Sequence, residues 1–112
     1  MKFSTKELHG VTVIKMEGSM LGGPEASELN NALHKLIDAK KKKIVVDLSE
    51  VTLMNSSGLG MLIGGVTTMR NANGDLKIAG ANEKVSQVFK ITKVNNVIEL
   101  HDSVKAAVES FK

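Results

Sequence analysis

Residues 44–60 read Ile-Val-Val-Asp-Leu-Ser-Glu-Val-Thr-Leu-Met-Asn-Ser-Ser-Gly-Leu-Gly. The stretch opens on three consecutive branched apolar side chains, Ile44, Val45 and Val46, and Leu48 follows Asp47. A strand covered on both faces reads this way, as in a parallel sheet. The strand is expected to end there and a short connection to follow. Asn55, Ser56 and Ser57 then open a helix whose apolar stripe is Leu59, Leu62, Ile63, Val66 and Met69. A strand running into a helix is the repeating unit of an α/β fold.

Downstream the unit recurs. Asn73-Gly74 is a turn, residues 75–79 form a strand, and Asn82 can cap a helix with Val85, Val88 and Phe89 inward. Residues 97–100 supply a last strand, and Asp102 caps a final helix with Val104, Ala107, Val108 and Phe111 inward. Upstream, residues 3–8 and 11–17 are strands joined at His9-Gly10, close enough to pair as a hairpin. Gly22-Gly23-Pro24 breaks the chain, and Pro24 suits a first helical position because its missing N–H would be unpaired there. Glu25 and Glu28 favour the positive end of that helix and the lysines from Lys40 onward its negative end, while Ala26, Leu29, Leu33, Leu36 and Ile37 form its apolar stripe. The order β-β-α-β-α-β-α-β-α predicts an α/β fold: a mostly parallel sheet of four to five strands, an antiparallel N-terminal edge strand, and four helices covering it unevenly. The 112 residues are expected to form a single domain, 1–112.

Composition narrows the function classes. Cysteine is absent, which removes disulfides, cysteine nucleophiles and thiolate metal sites. The net charge is +3, but it rests on the run Lys40, Lys41, Lys42 and Lys43; elsewhere acidic residues outnumber basic ones. Arg70 is the only arginine and aromatics make up 3%, so the arginine forks and stacking platforms of nucleic-acid recognition are missing. The run is expected to be a solvated helix end, and no nucleic-acid partner is expected. No stretch approaches the roughly 18 apolar residues of a membrane span. The N-terminus lacks the apolar core of a signal peptide, so the expectation is a cytoplasmic protein with no membrane insertion.

Catalytic constellations are thin. His9, His34 and His101 fall at a hairpin turn, on the polar side of a helix and before a cap, with no spacing that builds a metal site. Neither glycine-rich phosphate-loop pattern occurs, and Ser56 and Ser57 lack the nucleophile elbow of serine hydrolases. No enzyme activity, metal or cofactor is expected. The serine junction is different. Ser56 or Asn55 can serve as the N-cap. Gly58, Gly60, Gly64 and Gly65 then crowd the helix start, each interior glycine costing about 0.5–1 kcal/mol relative to alanine. Two explanations fit: close packing inside the domain, or a flat surface, with Met61 exposed on it, for another chain to approach. A hydroxyl at a helix N-terminus is also well placed for a phosphate, since the free N–H groups and the dipole favour the charge. A phosphate adds about −1.5 to −2 charges, which an apolar interface buries only at high cost.

The pattern from Val46 through Asp47 to Gly60, with Met54-Asn55-Ser56-Ser57-Gly58 at a strand-to-helix junction, resembles the STAS domain of anti-sigma factor antagonists, and the resemblance covers nearly the whole chain. It implies the STAS-like β-α superhelix and a binding protein rather than an enzyme. It further implies a partner that is both anti-sigma factor and serine kinase, phosphorylation at Ser56, and a serine phosphatase that reverses it. The implied partner surface comprises Asn55, Ser57, Gly58, Leu59, Gly60 and Met61, with Met20, Leu21, Gly22 and Gly23 alongside. The chain departs from the family pattern at Asn55, where aspartate is usual. It departs again in the Ser19-Met20-Leu21-Gly22-Gly23 loop, where relatives often carry an aspartate; both changes make the surface less acidic. A second reading, similar to small STAS proteins, is a subunit docking on the ATPase of a lipid-transport complex.

Overall fold

The computed structural model describes residues 2–91 and 97–111. Its elements run β1 (Lys2–Leu8), β2 (Val11–Met20), α1 (Pro24–Asp38), β3 (Lys43–Met54), α2 (Ser56–Asn71), β4 (Asp75–Ala79), α3 (Glu83–Ile91), β5 (Leu100–His101) and α4 (Val104–Glu109). The five strands lie side by side in chain order. β1 is an antiparallel edge, Leu8 opposite Val11 and Lys2 opposite Glu17; the remaining neighbours are parallel. The expected α/β architecture is therefore the one observed.

Alternation along the strands builds two unequal layers. Ile14 and Met16, Ile44, Val46 and Leu48, and Leu76 and Ile78 face one side, where they pack with Leu29 and Leu33 of α1, Leu62, Val66 and Met69 of α2, and Val85 and Phe89 of α3. The intervening Val11, Val13, Val45 and Ala79 face the other side, where Ala107 and Val108 of α4 cover them. Among the described residues three helices thus share one face and a single short helix holds the other. A buried lysine secures that helix. Lys77, 7% exposed, donates to the Ser110 hydroxyl at 2.7 Å and the Ser110 carbonyl at 3.2 Å. Its Nζ also lies 4.3 Å from the centre of the Phe111 ring and 3.5 Å from Glu99.

Element bounds differ from the sequence reading in several places, and β1 begins one residue earlier, at Lys2. β2 continues to Met20 and β3 to Met54. The last strand is Leu100–His101 rather than residues 97–100, and it pairs with Ile78 and Ala79 of β4. Ser103, not Asp102, caps α4, its hydroxyl accepting from the Ala106 N–H at 3.1 Å. Asn82 caps α3 as expected, accepting from the Val85 N–H at 2.8 Å.

The parallel arrangement gives the molecule two poles. The N-termini of α1 to α4 gather at the C-terminal ends of the parallel strands. The lysine run lies at the other pole, between the end of α1 and the start of β3. There Lys40 adopts φ 63° and Lys41 pairs with Glu7. Lys40, Lys41 and Lys43 are exposed, as a solvated helix end requires.

Candidate functional site

The site begins with an irregularity in β3. Lys15 pairs with Asp47 and Glu17 with Glu50; Gly18 pairs with Val51 and Ser19 with Leu53. In each interval β3 gains one residue on β2, which makes two β-bulges. Burial then falls at Leu48, Val51 and Met54, every third residue instead of every second. A bulged strand bends and twists more strongly, and here it runs straight to the helix junction. No connection of any length intervenes: Met54 ends β3, Asn55 turns, and Ser56 begins α2.

Asn55 makes the turn work. Its backbone is extended at φ −113° and ψ −176°, and its side-chain oxygen accepts from the Gly58 N–H at 2.9 Å. Its carbonyl accepts from Leu59 at 3.0 Å, and its own N–H donates to the Met20 carbonyl at 3.4 Å, which ties the junction to β2. Asn55 is therefore the N-cap, and the choice between it and Ser56 is settled by geometry. Ser56 takes the first helical position, exposed to solvent. No side-chain hydrogen bond engages its hydroxyl among the described residues. The N–H groups of Ser56 and Ser57 have no partner within α2, as the first turn of any helix dictates. No acidic residue occupies that turn, so its positive end is uncompensated by a side chain.

The loop at residues 20–23 closes against this start. Gly22 adopts φ 87°, and a Cβ there would lie 2.8 Å from the Ser57 Cβ. A Cβ on Gly58 would lie 2.2 Å from the Met20 carbonyl oxygen. Glycine at both positions lets two backbones meet that any larger residue would hold apart.

The structure brings together every residue singled out around Ser56, but at two depths. Leu21, Gly23, Asn55, Ser56, Ser57 and Gly60 are exposed; Met20, Gly22, Gly58, Leu59 and Met61 are buried. Met61 corrects the expectation of an exposed methionine. It is 7% exposed and joins the main core. Together with Ala26, Leu29, Asn30, Gly60, Gly64, Gly65 and Thr68 it lines a groove of about 360 Å³ between α1 and α2. The sequence reading missed Leu53, which is 49% exposed at the end of β3. Strict alternation could not place it, because the bulges break the pattern just before it. The three histidines lie away from this end or outside its contacts: His9 at the β1–β2 turn, His34 exposed on α1, and His101 bonded to Glu99 at 2.8 Å. Among the described residues no cluster of His, Asp or Glu could hold a metal ion.

Comparison with known proteins places this geometry. The STAS domain profile matches residues 2–107, and the chain belongs to that family. The anti-sigma-B factor antagonist of Listeria monocytogenes is 33% identical over 55 residues, 49% of this chain and 48% of that protein, so the match spans about half of each. BtrV of Bordetella bronchiseptica, named as a candidate anti-sigma factor antagonist, is 23% identical over 112 residues, 100% of this chain and 96% of that protein. The Bacillus cell fate determinant SpoIIAA in its phosphorylated form superposes with a TM-score of 0.72 at 14% identity, covering 99% of this chain and 100% of that one. Its unphosphorylated form gives a TM-score of 0.71, also at 14% identity, covering 97% and 96%. At that identity the likeness concerns the fold alone.

Proposed function

We propose that this STAS domain is an anti-sigma factor antagonist, a binding module whose contact with an anti-sigma factor is set by phosphorylation of Ser56. One observation carries the reading: Asn55 performs the capping, so the Ser56 hydroxyl stands free and exposed at the mouth of α2. The partner is an anti-sigma factor that also acts as an ATP-dependent serine kinase, and a serine phosphatase resets the switch. Relatives named as anti-sigma factor antagonists favour this over docking on a transporter ATPase. Such a partnership belongs in the cytoplasm, and no described helix is long and apolar enough to cross a membrane.

The physics of the switch is local. A phosphate on Ser56 meets unpaired N–H groups and the positive end of α2, so the fold tolerates it. The same phosphate puts about −1.5 to −2 charges onto a surface that includes Leu21, Asn55, Ser57 and Gly60. A partner that buries this surface while unmodified must then desolvate the charge or let go. The buried Met20, Gly22, Gly58, Leu59 and Met61 support the surface from below. Asn55 keeps the cap that the family's aspartate supplies and drops its charge, which leaves the phosphate less repelled.

Incubation with the kinase-active anti-sigma factor and ATP, followed by mapping of the modified residue by mass spectrometry, tests the proposal. Phosphate on Ser56, absent from Ser56→Ala, is the expected result. Phosphate on Ser57 or elsewhere, with Ser56 unmodified, overturns it.

A further inference from the structure

We propose that Asn55 is a modification site: the fold makes it the first of the described asparagines to deamidate, ahead of the Asn73-Gly74 pair that the sequence favours. Its bearing on partner release rests on the function proposed above; its chemistry does not. Deamidation starts when the backbone nitrogen of the following residue gives its proton to solvent base and attacks the asparagine Cγ. A new C–N bond closes a cyclic imide, the Cγ–Nδ2 bond breaks, and the amide nitrogen takes up a proton and leaves as ammonia. Water then opens the ring at one carbonyl to give aspartate, or at the other to give isoaspartate. The reaction therefore asks for a free N–H on the next residue, a small side chain there, and a carboxamide nitrogen that nothing holds.

By sequence Asn73 comes first, because a following glycine hinders the attack least. The fold withdraws its nucleophile. The Gly74 N–H donates to the Met69 carbonyl at 2.7 Å, and a Cβ on Gly74 would run into the Lys42 carbonyl, so this backbone has little room to turn. Asn71 is followed by Ala72, whose N–H donates to the Met69 carbonyl at 3.1 Å. Asn30 and Asn31 lie inside α1, where the next N–H is committed to the helix ladder. Asn82 caps α3, and the first-turn N–H of Glu83 has no helical partner. Its Nδ2, however, donates to the Val51 carbonyl at 3.1 Å, which holds the leaving group, and Glu83 sets a carboxylate beside the developing anion.

Asn55 meets all three demands. Ser56 follows it, small and exposed, and the Ser56 N–H has no partner among the described residues. The Asn55 side chain is exposed, and its Nδ2 donates to nothing among the described residues. Its Oδ1 accepts from the Gly58 N–H at 2.9 Å. That donor polarises the carboxamide and stays in place as negative charge builds on Oδ1. The positive end of α2, with no acidic side chain in its first turn, favours the same charge. The cap thus activates the group it holds. Aspartate keeps the cap, whereas isoaspartate lengthens the backbone ahead of Ser56 and loses it. Either product sets a carboxylate next to Ser56, inside the surface proposed for the partner.

The test holds the whole chain at neutral pH with gentle warming, folded in buffer and unfolded in guanidinium chloride, and follows each asparagine by peptide mass spectrometry. In the folded chain the Asn55 peptide should gain the mass of an amide-to-acid exchange first. In denaturant the order should reverse, with Asn73 first and converting at least about ten-fold faster than in the fold, where its turn must open locally before it reacts. Asn55→Ser, which keeps a capping side chain, should abolish the early conversion and leave the rate at Asn73 unchanged. Asn73 or Asn82 converting first in the folded chain overturns the proposal. So does the same order in both conditions, or a folded Asn55 still intact when Asn73 has fully converted in denaturant. The measurement needs no partner. Conversion at Asn55 with Ser56 unmodified in the kinase assay removes only the bearing on partner release; phosphate on Ser56 with Asn55 unconverted removes this site alone.

Discussion

Helix α2 holds four glycines of equal intrinsic cost and two different kinds. Gly58 and Gly65 are buried and hemmed in: an added Cβ would lie 2.2 Å from the Met20 carbonyl oxygen at the first and 3.2 Å from the Leu33 and Leu76 methyl groups at the second. Gly60 and Gly64 are exposed, and an added Cβ at either would meet nothing within 4 Å. Packing accounts for the first pair. Nothing among the described residues accounts for the second, which keeps the wall of the α1–α2 groove bare. A glycine-rich helix start is thus two statements in one stretch of sequence, one about backbone approach and one about surface.

The sharpest way to break this division is Gly58→Ala. It forces β2 and α2 apart and should cost about 3 kcal/mol in urea unfolding; a cost near zero would show that the close approach is not needed. Asn55→Ala should cost about 1 kcal/mol by removing the cap, whereas Asn55→Asp should hold or slightly raise stability, since it caps equally and meets the positive helix end. Gly64→Ala should stabilise by about 0.8 kcal/mol through helix propensity alone, and any loss of partner binding that accompanies it would mark the groove as used. Gly65→Ala falls between, its propensity gain cancelled by pressure on Leu33 and Leu76, with a net change near zero. If Gly64→Ala and Gly65→Ala behave alike, the division fails.

The smallest expected effect concerns pH. Burial raises the Glu99 pKa, but the hydrogen bond from His101 and the charges of Lys77 and His101 outweigh it, and the carboxyl sits below its ordinary value of 4.5. The folded state therefore favours the ionised form. This contribution is present above the unfolded pKa and is lost as pH falls through the lower folded value. Glu99 is half exposed, so the effect is modest. Unfolding measured from neutral to acid pH should show a slightly shallower loss for Glu99→Gln than for the parent chain, and an identical slope would mean the Lys77–Glu99–His101 contacts carry no net charge effect.

Where burial follows a fixed period, the sequence spoke clearly. Ile44, Val45 and Val46 marked a strand covered on both faces, the α1 and α2 stripes marked helices, and β1 was recognisable as the antiparallel edge. The reading failed where the period changed. The two bulges turn the spacing of Leu48, Val51 and Met54 from two residues into three, so the second half of β3 looked like a connection, and Leu53 could not be assigned a face. Met61 was misplaced for a related reason. Helical spacing put it beside Gly60 and Gly64, but α1 stands close enough to cover it. Lys77 was invisible because a charged residue in a strand normally points to water; the Ser110 end of α4, together with Phe111 and Glu99, accounts for its burial. The strand-to-helix junction marks Ser56 as a helix-start hydroxyl, but sequence alone cannot show it free of the cap, since Asn55 and Ser56 cap equally well on paper.

The central claim is that charge on the Ser56 hydroxyl releases a partner without disturbing the fold. It is tested most directly by titrating the anti-sigma factor against the parent chain and Ser56→Glu side by side, with the melting temperature of each recorded. Binding at least about ten-fold weaker for Ser56→Glu, at an unchanged melting temperature, is the predicted result. Equal affinity would contradict the account, as would a loss of affinity that tracks a loss of stability.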